Sequence, residues 1–178
     1  MYLCRHYGLA EVADYWESVV NLNTWQQHRI SALVVRQLFG TVTGKRLAVL
    51  GFAFKADTND TRETPAIRIC ADLLEEGAQL AIFDPKVSAE QMAADLGQAA
   101  GSPGPSGGQW HTAVDPLAAA AGADAVLVLT EWQQFAQLDW RALAAGMRQP
   151  AWLFDARAIC DAAAARAAGL KVWRVGEA

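Results

Sequence analysis

Residues 46–54 read RLAVLGFAF, apolar from Leu47 onward and without the three- and four-residue spacing of an amphipathic helix. At that length, with Gly51 inside it, the run predicts a fully buried strand. Lys55 follows directly, and then Asp57, Thr58, Asn59, Asp60 and Thr61, whose short polar side chains bond their own backbone and favour turns. Arg62 closes this loop. Thr64 before Pro65 has the form of a helix N-cap followed by proline at the first helical position, where the missing N–H costs nothing. The pattern is strand, cationic loop, helix. In an open α/β sheet, ligands collect beyond the carboxyl ends of the strands, which puts Lys55 and Arg62 where an anion would be received. The same two cations can equally serve to neutralise Asp57, Asp60 and Glu63 on a solvated loop.

Strands and helices alternate through the rest of the chain. Ile67, Cys70, Leu73 and Leu74 mark the core face of a helix that Gly77 ends. Residues 79–84 make a second strand stopped by Pro85, 88–96 a short helix, and Trp110 and His111 begin an edge segment. GSPGPSGG, residues 101–108, has the composition of a poorly ordered loop. A helix over 115–121 leads to a buried strand over 125–130, which ends at Glu131 and Trp132. A helix over 138–147, a strand over 152–155 with Arg157 just beyond it, a helix over 163–168 and a strand over 171–175 complete the series. The expected fold is α/β, a Rossmann-like doubly wound parallel sheet preceded by a long N-terminal helix. Asp84, ending the second strand, stands where such folds hold a ribose. Only Gly51 is present where G-x-G-x-x-G would follow the first strand, and this weakens that role.

The long helix is read over residues 11–39, where Val12, Trp16, Val19, Val20, Ile30, Leu33, Val34 and Leu38 recur mostly at helical steps, with an interruption at Asn21, Leu22 and Asn23. At roughly 1.5 Å per residue it would span about 43 Å, more than a domain of this size covers along one side. Part of its stripe therefore needs another partner, or the helix folds back on its own domain. On the first reading, Glu at Val19 and Leu33 should break an assembly.

Several motifs in fixed order carry a resemblance. They are GFAFK at 51–55, Asp57-Thr58, Asp60-Thr61-Arg62-Glu63, Pro65, Glu76-Gly77-Ala78, Phe83-Asp84-Pro85-Lys86-Val87, Thr130-Glu131-Trp132 and Phe154-Asp155-Ala156-Arg157. Together they resemble the C-terminal, UDP-binding domain of the UDP-glucose 6-dehydrogenase family, and residues 2–39 are similar to the segment just before that domain. The resemblance implies residues 1–39 as a linking and dimerisation helix and 40–178 as a UDP-sugar-binding domain. It implies Phe54 and Lys55 as contacts to the UDP-sugar, Arg157 as an arginine reaching the substrate across a dimer, and Arg62 as a contact to NAD. The implied reaction converts UDP-glucose and two NAD+ to UDP-glucuronate through a covalent thiol intermediate. The nucleophile of the family lies in a G-G-S-C type motif upstream of the helix, so this chain is expected to lack both it and the NAD-binding domain, and to be inactive alone as a truncated chain or excised domain. Cys4 matches a non-catalytic position. Ala158 stands where relatives often carry a second polar residue. GDP-mannose or a UDP-N-acetylhexosamine is the alternative substrate, and a non-catalytic nucleotide-sugar-binding or dimerisation module is the alternative role.

At 178 residues with 53% apolar content the chain suits one α/β domain with an appended element. A formal charge of −4 argues against general nucleic-acid binding, so any anion site must be local. No apolar run approaches a membrane span, and the N-terminus has no signal-peptide core, so a cytoplasmic protein is expected. Cys4, Cys70 and Cys160 are scattered and read as free thiols, and His6, His28 and His111 as structural or surface residues without metal.

Overall fold

A computed structural model describes residues 1–177. In chain order its elements are α1 (Tyr2–His6), α2 (Ala10–Gln37), β1 (Arg46–Leu50), α3 (Pro65–Glu75), β2 (Gln79–Phe83), α4 (Ala89–Leu96), β3 (Gln109–Thr112), α5 (Pro116–Ala120), β4 (Ala125–Val128), α6 (Gln133–Ala136), α7 (Trp140–Gly146), β5 (Trp152–Asp155), α8 (Ala162–Ala167) and β6 (Lys171–Arg174). The six strands form one sheet, parallel throughout, in the order β3-β2-β1-β4-β5-β6. The chain thus starts in mid-sheet, winds outward through β3, and returns to the other side of β1. Connections leave β1 and β4 in opposite directions, which opens a crevice between their carboxyl ends. This is the expected Rossmann-like architecture.

The apolar runs explain the layering. Leu47 to Leu50 and all of β4 are buried, and Val49 lies in register with Ile82 on one side and Leu127 on the other. Strands buried on both faces must be covered by helices, and α3 supplies Ala66, Ile69, Cys70, Leu73 and Leu74. Polar caps fix where helices start. Thr64 Oγ1 accepts from Ala66 N at 3.3 Å, and Ser88, Asp115, Asp139 and Asp161 cap α4, α5, α7 and α8 in the same way, each cap contributing about 1 kcal/mol. Burial holds the thiols protonated: Cys70 is pushed up to about 12, and Cys160, beside the buried Asp155 carboxylate, is raised further by the same desolvation. His28 pairs with Asp72 at 2.8 Å, tying α2 to α3.

Several boundaries differ from the sequence reading for physical reasons. The run 46–54 is a strand only as far as Leu50, because Gly51 adopts φ +93 and turns the chain while Phe52 and Ala53 stay buried. Residues 101–108, expected to be poorly ordered, fold into a turn in which Gly104 N donates to Gly108 O and Gly107 N to Gly104 O, with the Gln98 carboxamide donating to Ser102 O and Gly108 O. The single turns α1 and α6 carry too little periodicity to be read in advance. Helix α2 runs unbroken through Asn21, Leu22 and Asn23, and only its C-terminal half joins the core. Leu33, expected at an interface, is instead 7% exposed and packed in the core, whereas Trp16 is 53% exposed, with Val12, Val19 and Val20 beside it on the exposed stripe.

Gly51 is where the fold has least tolerance. Its N–H donates to Phe83 O at 2.8 Å, and a Cβ built on it would lie 2.5 Å from Thr130 Cβ. Gly51→Ala therefore combines left-handed strain with a steric conflict against β4's extension, and urea denaturation should show a loss of about 3 kcal/mol or more. A loss below about 1 kcal/mol would mean that the Gly51–Thr130 approach is not rigid.

Candidate functional site

The loop after β1 has little regular structure of its own, and its neighbours hold it in place. Phe52 N and Ala53 N donate to Asp84 Oδ2 at 2.7 and 3.0 Å, Thr130 Oγ1 donates to Ala53 O at 2.7 Å, and Phe54 N donates to Asp60 O at 2.8 Å. These bonds bring the Phe54 ring and the Lys55 side chain to the surface at the mouth of the crevice, both exposed.

Asp84 is not free to hold a ribose. Besides the two loop amides, Oδ2 accepts from Trp132 Nε1 at 3.1 Å, while Oδ1 accepts from Lys86 N and Val87 N at 2.9 and 3.0 Å. A carboxylate offers about four lone-pair positions, and five donors already address this one. The missing glycines already weakened a ribose role for Asp84, and these five bonds leave its carboxylate no free position. With no second or third glycine after β1 and no available acid at the end of β2, the crevice does not fit a dinucleotide held in the Rossmann manner.

Arg157 comes to the same crevice from β5. The fully buried Asp155 accepts from Arg157 N and Ile159 N through Oδ1 and from Cys160 N through Oδ2, bending the chain sharply beyond the strand. The guanidinium is anchored at its inner nitrogen, Nε donating to Leu129 O at 2.7 Å with Glu131 Oε2 at 3.3 Å, and Nη2 lies 3.5 Å from Phe54 O. Phe54 and Arg157 of one chain are thus neighbours. Ala158 next to it has φ +55, and its carbonyl accepts from Arg174 Nη2 at 2.6 Å.

Arg62 lies on the outer part of the loop, its side chain 88% exposed, and it clasps Asp60 through Nε and Nη2 at 2.9 and 2.7 Å. The Arg62 side chain first, then the Arg62 backbone N–H and the charges of Arg62 and Lys55, hold the Asp60 carboxyl down at about 2. An exposed pair of this kind adds little to stability.

A groove of about 620 Å3 beside His28 and Asp72 lies between α2 and α3, away from this crevice. The candidate site rests on topology and convergent charge rather than on concavity. A smaller cavity of about 160 Å3 abuts it, where Asn23 and Gln27 of α2 face Leu129 and Arg157. Among the described residues no group of His, Cys, Asp and Glu could hold a metal, and no helix is long and apolar enough to cross a membrane.

Residues 48–162 match the model of the UDP-glucose/GDP-mannose dehydrogenase family, UDP binding domain. The chain belongs to this family. It is 42% identical to a UDP-glucose 6-dehydrogenase of Caenorhabditis elegans over 99% of its own length and 41% identical to one of Drosophila melanogaster over the same share. It spans 36% and 38% of those relatives' lengths. A UDP-glucose dehydrogenase structure from Pyrobaculum islandicum superposes with a TM-score of 0.70 at 25% identity, covering 97% of this chain and 34% of that one. An NDP-N-acetyl-D-galactosaminuronic acid dehydrogenase from Methanosarcina mazei shares the fold, with a TM-score of 0.64 at 19% identity over 85% of this chain and 29% of that one. The family's UDP binding domain accounts for all the elements that meet at the crevice up to Arg157.

Sequence reasoning picked out Phe54, Lys55, Arg62 and Arg157 but gave Thr130, Glu131 and Trp132 no task. The available signal was an acid at the end of a strand followed by a turn, present at both Asp84 and Asp155. The Asp60–Arg62 clasp has a direct test. Because folding depresses the Asp60 pKa, the clasp is intact above the ordinary carboxylate range and opens only as pH falls through about 2. Carbon-detected NMR titration should place the Asp60 midpoint near 2, and Arg62→Ala should raise it only part of the way to the ordinary carboxylate value, because the residue-62 backbone N–H and Lys55 remain.

Proposed function

We propose that this chain binds the UDP moiety of a nucleotide sugar and is the UDP-binding part of a UDP-glucose 6-dehydrogenase. The observation that carries this reading is the placement of the Arg157 guanidinium beside the carbonyl of Phe54, the residue before Lys55 on a loop fixed by Asp84, at the strand-end crevice of a UDP binding domain. A diphosphate accepts charge-assisted hydrogen bonds roughly twice as strong as neutral ones, which suits an ammonium and a guanidinium. The exposed Phe54 ring offers a flat apolar face next to them. UDP-glucose is the substrate proposed, with GDP-mannose and a UDP-N-acetylhexosamine as the alternatives to be separated by experiment.

In the complete reaction, UDP-glucose is oxidised at C6 to UDP-glucuronate, with two NAD+ as hydride acceptors. The crevice of this chain does not fit that cofactor, so no step is assigned to NAD here, and Arg62 is proposed only as a rim contact toward NAD held elsewhere. The role of this chain is to grip and orient the non-reacting half of the substrate, in keeping with remote binding energy serving to position the reacting carbon. Three free cysteines suit a cytoplasmic, reducing setting.

Calorimetry tests the binding step. The 178-residue chain should bind UDP and UDP-glucose in preference to GDP-mannose and UDP-N-acetylglucosamine, and should form no NADH from NAD and UDP-glucose. Lys55→Ala should weaken UDP by roughly ten- to a hundredfold, the equivalent of a charge-assisted bond of about 1.5–3 kcal/mol. Equal affinity in the two proteins removes Lys55 from the site, and steady NADH formation overturns the assignment of a binding role alone.

Residues 1–39 are proposed to join two copies of the chain, as a homodimer, through the stripe Val12, Trp16, Val19 and Val20, all of which stay exposed among the described residues. Trp16→Glu with Val20→Glu places charge on that stripe without touching the core. Light scattering should then report a monomer where the parent chain is a dimer. A parent chain that stays monomeric at high concentration refutes the interface.

A further inference from the structure

The proposed binding step leaves the segment after β4 without a task, yet its side chains reach the site from the far side of the switch point. Thr130 is fully buried and Trp132 nearly so. Thr130 Oγ1 donates to Ala53 O at 2.7 Å, while the N–H of Ala53 is held by Asp84 Oδ2, the same oxygen that receives Trp132 Nε1 at 3.1 Å. Residue 53 is therefore fixed at both its amide and its carbonyl, one from the β2 side of the sheet and one from the β4 side. The indole of Trp132 also lies under Lys86 Nζ, 5.9 Å from its ring centre, and that ammonium donates to Asp57 O at 3.1 Å. Positions 53 and 57, two residues to either side of Lys55, are thus both tied to the segment after β4.

We propose that Thr130 and Trp132 are positioning residues that set the place of the Lys55 ammonium against the Arg157 guanidinium, an inference that rests on the reading of Lys55 as a diphosphate ligand. The physical need is clear from the loop itself. Beyond Gly51 the peptide leaves the sheet, and among the described residues Phe54 N to Asp60 O is the main-chain bond that crosses the loop near Lys55. An ammonium on a four-carbon stem gains from a fixed anchor, because each freely rotating element it would have to order on binding reduces affinity. The hydroxyl of Thr130 and the indole N–H of Trp132 supply that order before the ligand arrives.

A double-mutant cycle separates positioning from simple support of the core. UDP affinity is measured by calorimetry for the full chain, for Lys55→Ala, for Thr130→Val, Thr130→Ser and Trp132→Phe, and for each of the last three combined with Lys55→Ala, with circular dichroism at the assay temperature to verify folding. Thr130→Val and Trp132→Phe are each expected to weaken UDP by about three- to tenfold. The decisive readout is the factor lost on Lys55→Ala. It should fall from at least about tenfold in the parent to below about threefold in the Thr130→Val and Trp132→Phe backgrounds, and Thr130→Ser, which keeps the donor, should restore it. If the Lys55→Ala factor is the same in every background, the positioning role is wrong while the diphosphate reading stands. If Lys55→Ala has no effect in the parent chain, both fall.

Discussion

The carboxylate of Asp84 is the hub on which the crevice depends. It ends β2 at the place where a Rossmann sheet delivers an acid to the ligand, and here it is spent on the protein's own backbone: two amides of the loop after β1, two of the turn after β2, and one indole of the segment after β4. Removing it would orphan five buried or half-buried N–H groups at once, and unsatisfied donors of this kind cost more than the net value of the bonds they made. Three separate strand ends are thereby held in one arrangement, with Gly51 and Thr130 in close approach beneath them.

Asp155 repeats the device at the other side of the crevice. It too is a strand-terminal acid, and it too takes backbone N–H groups of the turn that follows, those of residues 157, 159 and 160. The consequence is electrostatic as well as geometric. In a chain of net charge −4, the two acids nearest the strand ends are turned inward onto amides, and the cations Lys55 and Arg157 are left at the surface. Glu131 offsets Arg157 in part, and Asp60 is taken up by Arg62. Lys55 is therefore the least compensated charge at the crevice, which is why binding is expected to depend on it more than on Arg62.

Much of this was legible in the sequence because it is local. The buried strand, the Thr64–Pro65 helix start, the alternation that yields a parallel sheet and the placement of Lys55 and Arg157 beyond strand ends all follow from spacing and turn chemistry. What could not be read is what depends on the order of strands in space. Asp84 looks like a ribose ligand in sequence, and only the adjacency of β2 to β1, with β4 on the other side, reveals that amides from residues 52, 53, 86 and 87 and the Trp132 indole reach it. Leu33 looks equivalent to Val19 on a helical wheel, but α3 packs against one half of α2 and not the other, so one is core and the other is surface.

Helix α2 links the proposed interface to the site through a single stripe. Followed at helical steps, that stripe passes from Ile30 and Val34, packed in the core, to Gln27 and Asn23, and then to Val20, Trp16 and Val12, which are exposed. The two polar positions that interrupt it are not a flaw in the helix: Asn23 and Gln27 line the cavity whose opposite wall includes Leu129 and Arg157. Asn23 and Gln27 bring polar groups to a cavity otherwise lined mainly by apolar side chains such as Ile30, Ile69 and Val175, whereas a continuous apolar stripe would abut the guanidinium without partners for it. A partner seated on Val12 to Val20 would therefore end within about one to two helical turns of the cavity beside Arg157, since residues 20 and 27 are separated by roughly 10 Å along the axis. Covering the apolar half of the helix and completing the surroundings of the Arg157 side of the crevice are, on this geometry, consequences of the same contact.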